Sequence, residues 1–478
     1  MSSALPEPDR AVIARRDEIV AGLAAIIGKD AVISTEDERR AYETDALTAF
    51  RAVPLAVALP ATTAEVAAVM RFLAESRVKV VARGAGTSLS GGALPSEDCV
   101  VVGLARMNRI VSIDYDNRVA TVEAGVTNLA ITDAVSGRGF FYAPDPSSQL
   151  ACTIAGNVAM NSGGAHCLKY GVTTNNLTGV KMVLADGTIV ELGGAHLDAA
   201  GYDLLGLVTG SEGQLGIVTE ATVRILPVPE GARPMLMGFG SAEDAGACVA
   251  AIIASGIIPV AVEYMDRPAI KVCEAFAHAG YPLDVEALLI VEVEGSEAEI
   301  ADLIARITAV ADGFNPTTMR VSKSEGESIA IWKGRKAAFG AMGRISDYLC
   351  MDGVIPTGKL PVALRRVSEI CAGYGLEVAN VFHAGDGNLH PLIRYNANDA
   401  DELARAKKAG ADILRLCVEL GGCLTGEHGV GIEKRDLMPV QFSRQDLDQQ
   451  MRVKTAFDPD WRLNPAKVFP LAGRPVAG

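Results

Sequence analysis

The stretch PLAVALPATTAEVAAVMRFLAESRVKVVARGAG, residues 54–86, sets the fold of the chain's first half. The apolar runs at its two ends predict strands, and the apolar positions between them recur with the spacing of a helix. Thr62 and Glu65 have the spacing of a capping box, which marks where that helix begins. The stretch therefore predicts an α/β unit whose second strand runs straight into a glycine loop.

Further apolar runs follow up to about residue 230 and predict more strands. They are VVVGL, IVSID, ATVEAG, VKMVLADGTIVEL and LGIVTEATVRIL. Asp186-Gly187 has the composition of a tight turn between two of these strands. We therefore expect an α+β first domain.

From Arg233 onward strands and helices alternate again, which predicts a second domain. This order suits an antiparallel sheet that helices cover on one face, laid over the first domain as a cap. The last stretch of the chain looks too short for a core of its own, so we expect it to pack back across the domain junction. The predicted parts are an N-terminal helical segment (1–49), the first domain (50–230), the cap domain (231–424) and the C-terminal segment (425–478).

Composition narrows the function classes. The 478 residues carry a formal net charge of -14, which leaves no surplus of Lys and Arg for nucleic acid. The N-terminus MSSALPEPDR has neither a signal-peptide nor a transit-peptide pattern, so we expect a cytoplasmic protein. The longest apolar stretch, 245–262, is interrupted by Gly256 and Pro259, which predicts a core helix running into a strand and no direct membrane span. The nine cysteines form no C-x-x-C pair, so we expect buried thiols and no iron–sulfur cluster in this chain.

The densest glycine signal is RGAGTSLSGG, residues 83–92, directly after a predicted strand. Glycines allow backbone amides to surround an anion, so a phosphate or pyrophosphate suits this loop. It is not a P-loop, because no Gly-Lys-Ser/Thr follows, and it lacks the G-x-G-x-x-G spacing of a Rossmann fingerprint. By itself the loop leaves two interpretations open, an anion site and an ordinary tight turn.

Two more loops of glycines and small polar residues follow. One is APDPSS (143–148) leading into TIAGNVAMNSGG (153–164), and the other is TGSEGQLGIV (209–218). Three such loops are more than turns require. Together they predict one long ligand that lies over several strand ends.

Three of the six histidines lie in two short motifs, the first of which is HAGDGNLH at 383–390. Its Asp386-Gly387 pair predicts a two-residue hairpin in which His383 directly faces His390. Side chains that face each other across two strands are close enough to share a metal ion. The alternative is a packed histidine pair without a metal.

The second motif, GEHG at 426–429, supplies two further candidates. Glu427 is an available third metal ligand, and His428 points another way in an extended loop, toward a substrate. Two histidines and one carboxylate suit zinc, manganese and iron(II), and the sequence does not choose among them. Arg335 is a candidate for binding a substrate carboxylate, since a guanidinium holds a carboxylate with two hydrogen bonds. Its alternative is a solvated surface charge, which the neighbouring lysines favour.

Taken together, RGAGTSLSGG, PDPSSQ-x-ACTIAGNV and GSEG-x-LG resemble the FAD domain of the vanillyl-alcohol oxidase and p-cresol methylhydroxylase (PCMH) superfamily. Over nearly the whole chain, the order and spacing are similar to the family of glycolate oxidase catalytic subunits and FAD-linked D-2-hydroxy acid dehydrogenases. The resemblance implies an α+β fold, with a two-subdomain FAD-binding domain of the PCMH type and a ferredoxin-like α+β cap domain.

The resemblance also implies where FAD binds: pyrophosphate on the first loop, flavin ring on the second and adenine half near the third. Covalent members often place a His where this chain has Thr87 and Ser88, so we expect non-covalent FAD. The implied FAD-binding residues are Arg83, Gly84, Ala85, Gly86, Thr87, Ser88, Leu89, Gly91, Gly92, Pro144, Asp145, Ser147, Ser148, Thr153, Gly156, Asn157, Gly163, Gly210, Glu212, Gly213, Gly216, Ile217, Val218 and Asn464.

The reaction that the resemblance implies is oxidation of a small (R)-2-hydroxy acid, glycolate or D-lactate. A hydride passes from C2 to flavin N5 while His428 removes the hydroxyl proton and Arg335 holds the carboxylate. The implied metal ligands are His383, His390 and Glu427. The sequence departs from the family pattern at 345–350 and at 357–359. Because these departures bear on which substrate binds, D-2-hydroxyglutarate stays an alternative substrate.

The implied partners are an iron–sulfur subunit and a second FAD-binding subunit of a glycolate oxidase-like complex, or a quinone-linked chain. Through such partners the protein would lie at the inner membrane. A reading from another class is a non-catalytic FAD-binding subunit that only scaffolds a complex. The two histidine motifs argue against it, because a scaffold needs neither a metal site nor a base.

Overall fold

The computed structural model describes residues 5–196 and 201–471 and has an α+β fold. Strands and helices are numbered in chain order. The strands are β1 (Val32–Ile33), β2 (Ala56–Ala58), β3 (Lys79–Arg83), β4 (Cys99–Gly103), β5 (Ile110–Asp114), β6 (Val119–Glu123), β7 (Phe140–Phe141), β8 (Leu177–Val183), β9 (Ile189–Gly193), β10 (Ile217–Arg224), β11 (Leu226–Pro227), β12 (Gly231–Phe239), β13 (Ala261–Asp266), β14 (Ala287–Gly295), β15 (Thr318–Val321), β16 (Asp347–Cys350), β17 (Gly353–Val354), β18 (Val378–His383), β19 (Asn388–Leu389) and β20 (Pro391–Tyr395). The helices are α1 (Arg10–Ala14), α2 (Arg16–Ile27), α3 (Glu36–Arg39), α4 (Thr63–Glu75), α5 (Asn128–Ser136), α6 (Ile154–Met160), α7 (Cys167–Tyr170), α8 (Thr173–Asn176), α9 (Leu204–Val208), α10 (Ala242–Ala254), α11 (Arg267–Ala277), α12 (Glu297–Ala311), α13 (Glu325–Lys336), α14 (Ala338–Gly343), α15 (Leu360–Gly373), α16 (Ala400–Glu419), α17 (Met438–Gln441) and α18 (Arg444–Phe457).

The chain folds into two compact units. The described residues of 2–163, 171–227 and 427–478 form the glycine-loop unit. Gly164–Tyr170 and Val228–Gly426 form the histidine unit. The C-terminal stretch from Glu427 onward therefore belongs to the same unit as the glycine loops.

In the glycine-loop unit, the stretch 54–86 forms β2, α4 and β3, as its sequence predicts. Thr62 caps α4 by accepting a hydrogen bond from the Glu65 N–H. In a full capping box the Glu65 carboxylate would accept from the Thr62 N–H, but it accepts from the Ala61 N–H, one residue earlier. Half of the predicted capping box therefore forms. Strands β2 and β3 both pair parallel with β4 in the order β1-β2-β4-β3, and the glycine loop leaves the carboxyl end of β3.

The same unit contains an antiparallel sheet in the order β5-β6-β10-β8-β9. The predicted tight turn between β8 and β9 is confirmed: Gly187 has a φ of +85°, and the Asp186 carboxylate accepts from the Thr188 N–H at 2.8 Å. Side chains from both sheets and from α4 pack into one apolar cluster, which includes Met70, Val80 and Val122. This packing fixes the strand ends from which the loops project.

The histidine unit is built on an antiparallel sheet in the order β15-β12-β14-β13-β18-β19-β17, to which β16 and β20 add. Alternate residues of β14 point to opposite faces, as a pleated strand requires. Leu289 and Val291 pack into one apolar cluster with α10, α12 and α15. Leu288 and Ile290 pack into another with α11, α13 and α14.

Helices thus cover both faces of this sheet, and the expectation that they cover one face was wrong. Helices α13 and α14 cover the second face together with α11. Asp266 caps it, and its buried residues Ala269, Ile270 and Cys273 have helical spacing. Once α11 lies on the sheet, the second face is buried as well.

The apolar stretch 245–262 forms most of α10, a connecting loop and the start of β13, as predicted. Ser241 caps the helix by accepting from the Asp244 N–H. Across the part of the chain that the structure describes, no helix is both long enough and apolar enough to cross a membrane.

Candidate active site

The first glycine loop begins where β3 ends and requires glycine for two physical reasons. Gly86 and Gly91 have φ values of +75° and +76°, in the left-handed region that other residues rarely adopt. Gly84 lies against Thr153, and a Cβ on Gly84 would be 2.2 Å from the Thr153 Oγ1. The loop therefore needs glycine for its conformation at two positions and for space at a third.

Helix α6 and Asn464 bring the three glycine loops together. At the end of α6 the Val158 carbonyl accepts from the Gly210 N–H of the third loop at 2.8 Å. The Asn464 Nδ2 donates to the carbonyls of Gly92 at 2.9 Å and Glu212 at 2.6 Å, which links the first and third loops. The structure thus gathers the loops that the sequence assigns to one long ligand.

A flavin nucleotide fits the donors of this loop cluster. Thr153 is the N-cap residue of α6, yet its side chain makes no capping hydrogen bond. Its Oγ1 is buried and has no hydrogen-bond partner among the described residues. An unpaired buried hydroxyl costs about 1–3 kcal/mol, so a ligand atom at this point would be stabilising. Beside a loop that backbone amides can line, this hydroxyl suits the oxygen-rich middle part of FAD.

The Glu212 side chain binds the protein backbone. Its two oxygens accept from the N–H groups of Val430 and Gly431, each at 2.7 Å. Burial raises the pKa of this carboxyl, although the two N–H groups and the charges of Lys434 and Lys467 act in the opposite direction. The Glu212 carboxylate therefore joins the third loop to the stretch that follows His428.

Arg83 ties the first loop to the N-terminal segment. Its Nη1 donates to the Thr44 carbonyl at 2.7 Å, and its guanidinium lies 5.5 Å from the centroid of the Tyr42 ring. Asp45 lies in the same region, and burial raises its pKa to about 6.

The other residues predicted to bind FAD lie in the first loop, in the second loop with α6, and in the third loop with β10. They are Ala85, Thr87, Ser88, Leu89, Pro144, Asp145, Ser147, Ser148, Gly156, Asn157, Gly163, Gly213, Gly216, Ile217 and Val218.

Ser90, which sequence analysis did not select, holds the loop that carries the predicted base. The Ser90 hydroxyl donates to the His428 carbonyl at 2.9 Å, and the Ser90 carbonyl accepts from the Ile432 N–H at 2.9 Å. The Glu427 carboxylate accepts from the Gly163 N–H of the second loop at 3.1 Å. The loop with both predicted groups is thus fixed by the loops assigned to FAD. Nothing in the sequence distinguishes Ser90 from its neighbours, so this role could not be predicted.

In the histidine unit, His383 and His390 are both buried and their ring centroids are 5.2 Å apart. The predicted register was wrong, because β18 and β19 pair His383 with Asn388 and residues 384–387 form the turn. The Asp386 carboxylate accepts from the Asn388 N–H at 3.0 Å and so stabilises the longer turn. His390 becomes the diagonal neighbour of His383, and the two imidazoles still meet.

A buried carboxylate, Glu263 on β13, joins His383 to Arg335. Glu263 Oε1 accepts from His383 Nδ1 at 2.7 Å, and Oε2 forms an ion pair with Arg335 Nη2 at 2.5 Å. Burial by itself raises the pKa of the Glu263 carboxyl, but the charge of Arg335 and the hydrogen bond with His383 outweigh it, and the pKa is lowered.

Arg335 is only 3% exposed, so it is not the solvated surface charge that was the alternative. Its neighbours Lys333 and Lys336 are exposed, because they point away from the sheet on the other side of α13. The helix therefore turns one of three adjacent cations inward.

Asp352 is a second buried carboxylate in this unit. Its Oδ1 lies 3.6 Å from His390 Nε2, and its Oδ2 accepts from the Thr425 hydroxyl and from the Gly426 N–H. Sequence analysis missed both Asp352 and Glu263. The available signal was a single acidic residue inside an apolar run, which is AVEYM for Glu263 and CMDGV for Asp352.

Two family models match this chain. A model described as an FAD binding domain matches residues 54–193. A model described as FAD linked oxidases, C-terminal domain, matches residues 228–468 and so covers the histidine motifs.

Individual proteins match over nearly the whole chain. The glycolate oxidase subunit GlcD of Escherichia coli (strain K12) is 48% identical over 99% of this chain and 94% of its own length. A D-lactate dehydrogenase of Archaeoglobus fulgidus is 35% identical over 91% of this chain and 96% of its own. The crystal structure of p-cresol methylhydroxylase with substrate bound aligns with a TM-score of 0.81, at 16% identity, over 97% of this chain and 98% of that one. The chain therefore belongs to the FAD-linked oxidase family and has the α+β, PCMH-type fold that its sequence predicts.

Proposed function

We propose that this chain oxidises a small (R)-2-hydroxy acid, glycolate or D-lactate, to the 2-oxo acid with FAD as the electron acceptor. The observation that carries the proposal is the burial of Arg335 together with an unpaired donor on its guanidinium. Its guanidinium is buried beside the histidine pair, and its Nε has no hydrogen-bond partner among the described residues. A buried donor of this kind is suited to a substrate carboxylate. The names of the glycolate oxidase and D-lactate dehydrogenase relatives support the same substrate class.

Each remaining group has a separate task in the proposed reaction. When bound, FAD would supply the hydride acceptor for C2 of the acid, and a divalent metal would supply a Lewis acid. His383, His390 and Glu427 would hold the metal, and two buried imidazoles are suitable donors for zinc, manganese or iron(II). His428 removes the hydroxyl proton as general base. Arg335 orients the acid through its carboxylate.

The size of the substrate is also part of the proposal. A D-2-hydroxyglutarate dehydrogenase would need a further cation for the second carboxylate. Lys359, where the sequence departs from the family pattern, is exposed in the turn Thr357–Lys359. It offers no buried charge of the kind that Arg335 presents, so a short monocarboxylate is favoured.

Electron transfer out of the protein completes the proposal. FAD would be held without a covalent bond, and an iron–sulfur partner subunit in the cytoplasm, or a quinone-linked chain, would take up the electrons. The relative from Escherichia coli is itself named as a subunit. A second FAD-binding subunit and a position at the inner membrane belong to the same proposal.

Turnover with a soluble electron-accepting dye tests the proposal. Purified protein is offered glycolate, D-lactate, L-lactate and D-2-hydroxyglutarate, before and after treatment with a metal chelator. We expect turnover with glycolate or D-lactate that the chelator abolishes and added metal restores. Turnover that is unaffected by complete metal removal would overturn the metal, and preference for D-2-hydroxyglutarate would overturn the proposed substrate.

A further inference from the structure

We propose that Glu263 is a positioning residue that sets the orientation of the metal ligand His383 and the carboxylate-binding Arg335 together. The inference rests on the proposed function and adds to it a residue that contacts neither substrate nor metal.

The sheet places Glu263 between these two groups. Register pairs Glu263 with His383 on one neighbouring strand and with Ile290 on the other. Directly paired residues point to the same face, so Glu263 and His383 both face α13. Arg335 reaches the same face from α13 with its guanidinium. Strand pairing and helix packing thus fix all three side chains.

Each oxygen of Glu263 has its own partner, which makes the carboxylate hard to replace. A carboxylate accepts only, so the contact of Oε1 with His383 Nδ1 requires a proton on Nδ1. In a neutral imidazole ring, Nε2 is then the nitrogen that can coordinate a metal. Carboxylate-backed histidines have this arrangement in metal sites. Oε2 meanwhile balances the charge of Arg335 and holds its guanidinium in one orientation.

The same face offers a matched control in Glu292 on β14. It is also buried, and its oxygens bind the Trp332 Nε1 at 2.7 Å and the His166 Nε2 at 3.0 Å. Trp332 and Arg335 are both on α13, so each of the two glutamates binds one side chain of the same helix. Among the described residues, Glu292 forms no hydrogen bond or ion pair with His383 or Arg335.

The experiment compares wild type, Glu263→Gln, Glu263→Asp and Glu292→Gln as full-length, FAD-loaded proteins. Zinc affinity is measured by competition with a chelating dye, and folding by circular dichroism and flavin absorbance. Glu263→Gln should weaken zinc binding by about 10–100-fold, the usual effect of removing such a partner. Glu263→Asp is too short to reach both partners and should weaken it as well. Glu292→Gln should stay within about twofold of wild type, since its partners are not proposed ligands.

A folded Glu263→Gln variant with wild-type zinc affinity would overturn the proposal. If neither Glu263 variant folds, ¹⁵N NMR of histidine-labelled wild type decides instead. A neutral His383 with its proton on Nδ1 supports the proposal, and a proton on Nε2 overturns it. If wild type binds zinc and turns over, and Glu263→Gln binds zinc equally well, only the positioning role of Glu263 is refuted. Wild type that neither binds zinc nor turns over would refute the proposed function itself.

Discussion

Several charged side chains of both units are buried with a partner of opposite charge. Glu263 pairs with Arg335 in the histidine unit, and Lys454 pairs with Asp458 at 2.6 Å in the glycine-loop unit. Removing one member of such a pair leaves an uncompensated buried charge, which typically costs about 3–5 kcal/mol. Substitutions at these positions therefore change folding as well as function, and each variant needs a folding control.

Replacing His428 with Ala tests the proposed general base. Ser90 binds the His428 carbonyl, which alanine retains, so the loop and the flavin site should remain intact. Turnover should fall by about 10²–10⁴-fold, the usual contribution of a general base. Flavin absorbance per protein and dye-linked turnover measure the two effects. His278→Asn, at the exposed C-cap of α11, should keep both, and a fully active His428→Ala protein would end the assignment.

Asp45 should make the stability of the glycine-loop unit depend on pH. Burial raises its pKa from 3.8 to about 6, so the folded state holds this proton more tightly than the unfolded state. The resulting stabilisation is fully present below the unfolded pKa and is lost as pH rises through about 6. Between about pH 5 and about pH 7.5, wild type should therefore lose about 1–2 kcal/mol more unfolding free energy than Asp45→Asn does.

Urea unfolding at the two pH values checks this expectation. Asp116→Asn, in an exposed turn, should reproduce the wild-type pH dependence. An Asp45→Asn protein with the same pH dependence as wild type would show that another group titrates.

The first glycine loop has two tasks, since it shapes the FAD site and holds the His428 loop. Ser90→Ala should keep FAD but loosen His428, because one hydrogen bond of about 1 kcal/mol is lost. A fall in kcat of about fivefold is expected, with a shift in the pH profile of kcat that a general loss of folded protein would not produce. Ser136→Ala removes a similar serine-to-carbonyl bond at the surface and serves as the control. An unchanged rate and pH profile in Ser90→Ala would refute the coupling.

Gly84→Ala tests the close approach of the first loop to α6. The new methyl group would lie 2.2 Å from the Thr153 Oγ1, so either the loop or the hydroxyl must move. Overpacking of this kind costs about 1–3 kcal/mol, and FAD affinity should fall by about tenfold or more. Titration of the apoprotein with FAD measures the loss. Gly137→Ala, with nothing within 4 Å of its Cβ, should bind FAD like wild type, and unchanged affinity in Gly84→Ala would place FAD elsewhere.

The elements that the sequence predicted are those with local signals. Periodicity and capping residues were sufficient for β2, α4 and β3, and composition was sufficient for the turn at Asp186-Gly187. The hairpin at Asp386-Gly387 was predicted with the wrong register, because the Asp386 side chain stabilises a longer turn than its composition suggests. Residues that depend on distant contacts were missed altogether. Glu263 and His383 are 120 positions apart, and Ser90 and His428 are 338 apart.

At the scale of the whole molecule, each of the two compact units contains residues that the proposed reaction uses. The glycine loops, Glu427 and His428 belong to the glycine-loop unit, and His383, His390 and Arg335 belong to the histidine unit. The sequence motifs predicted each group of residues as a group, and their roles stay predictions. Sequence alone could not show that Arg335 is buried against a carboxylate, since its lysine neighbours suggest an exposed surface.

The central claim is that this chain itself reduces its flavin with a small 2-hydroxy acid. Anaerobic mixing with glycolate, D-lactate, L-lactate and D-2-hydroxyglutarate, with the oxidised flavin band recorded over time, tests it most directly. We predict rapid bleaching by glycolate or D-lactate and none by L-lactate. A yellow, metal-loaded protein that none of these acids bleaches would contradict the account and favour a scaffold role or a substrate of another class.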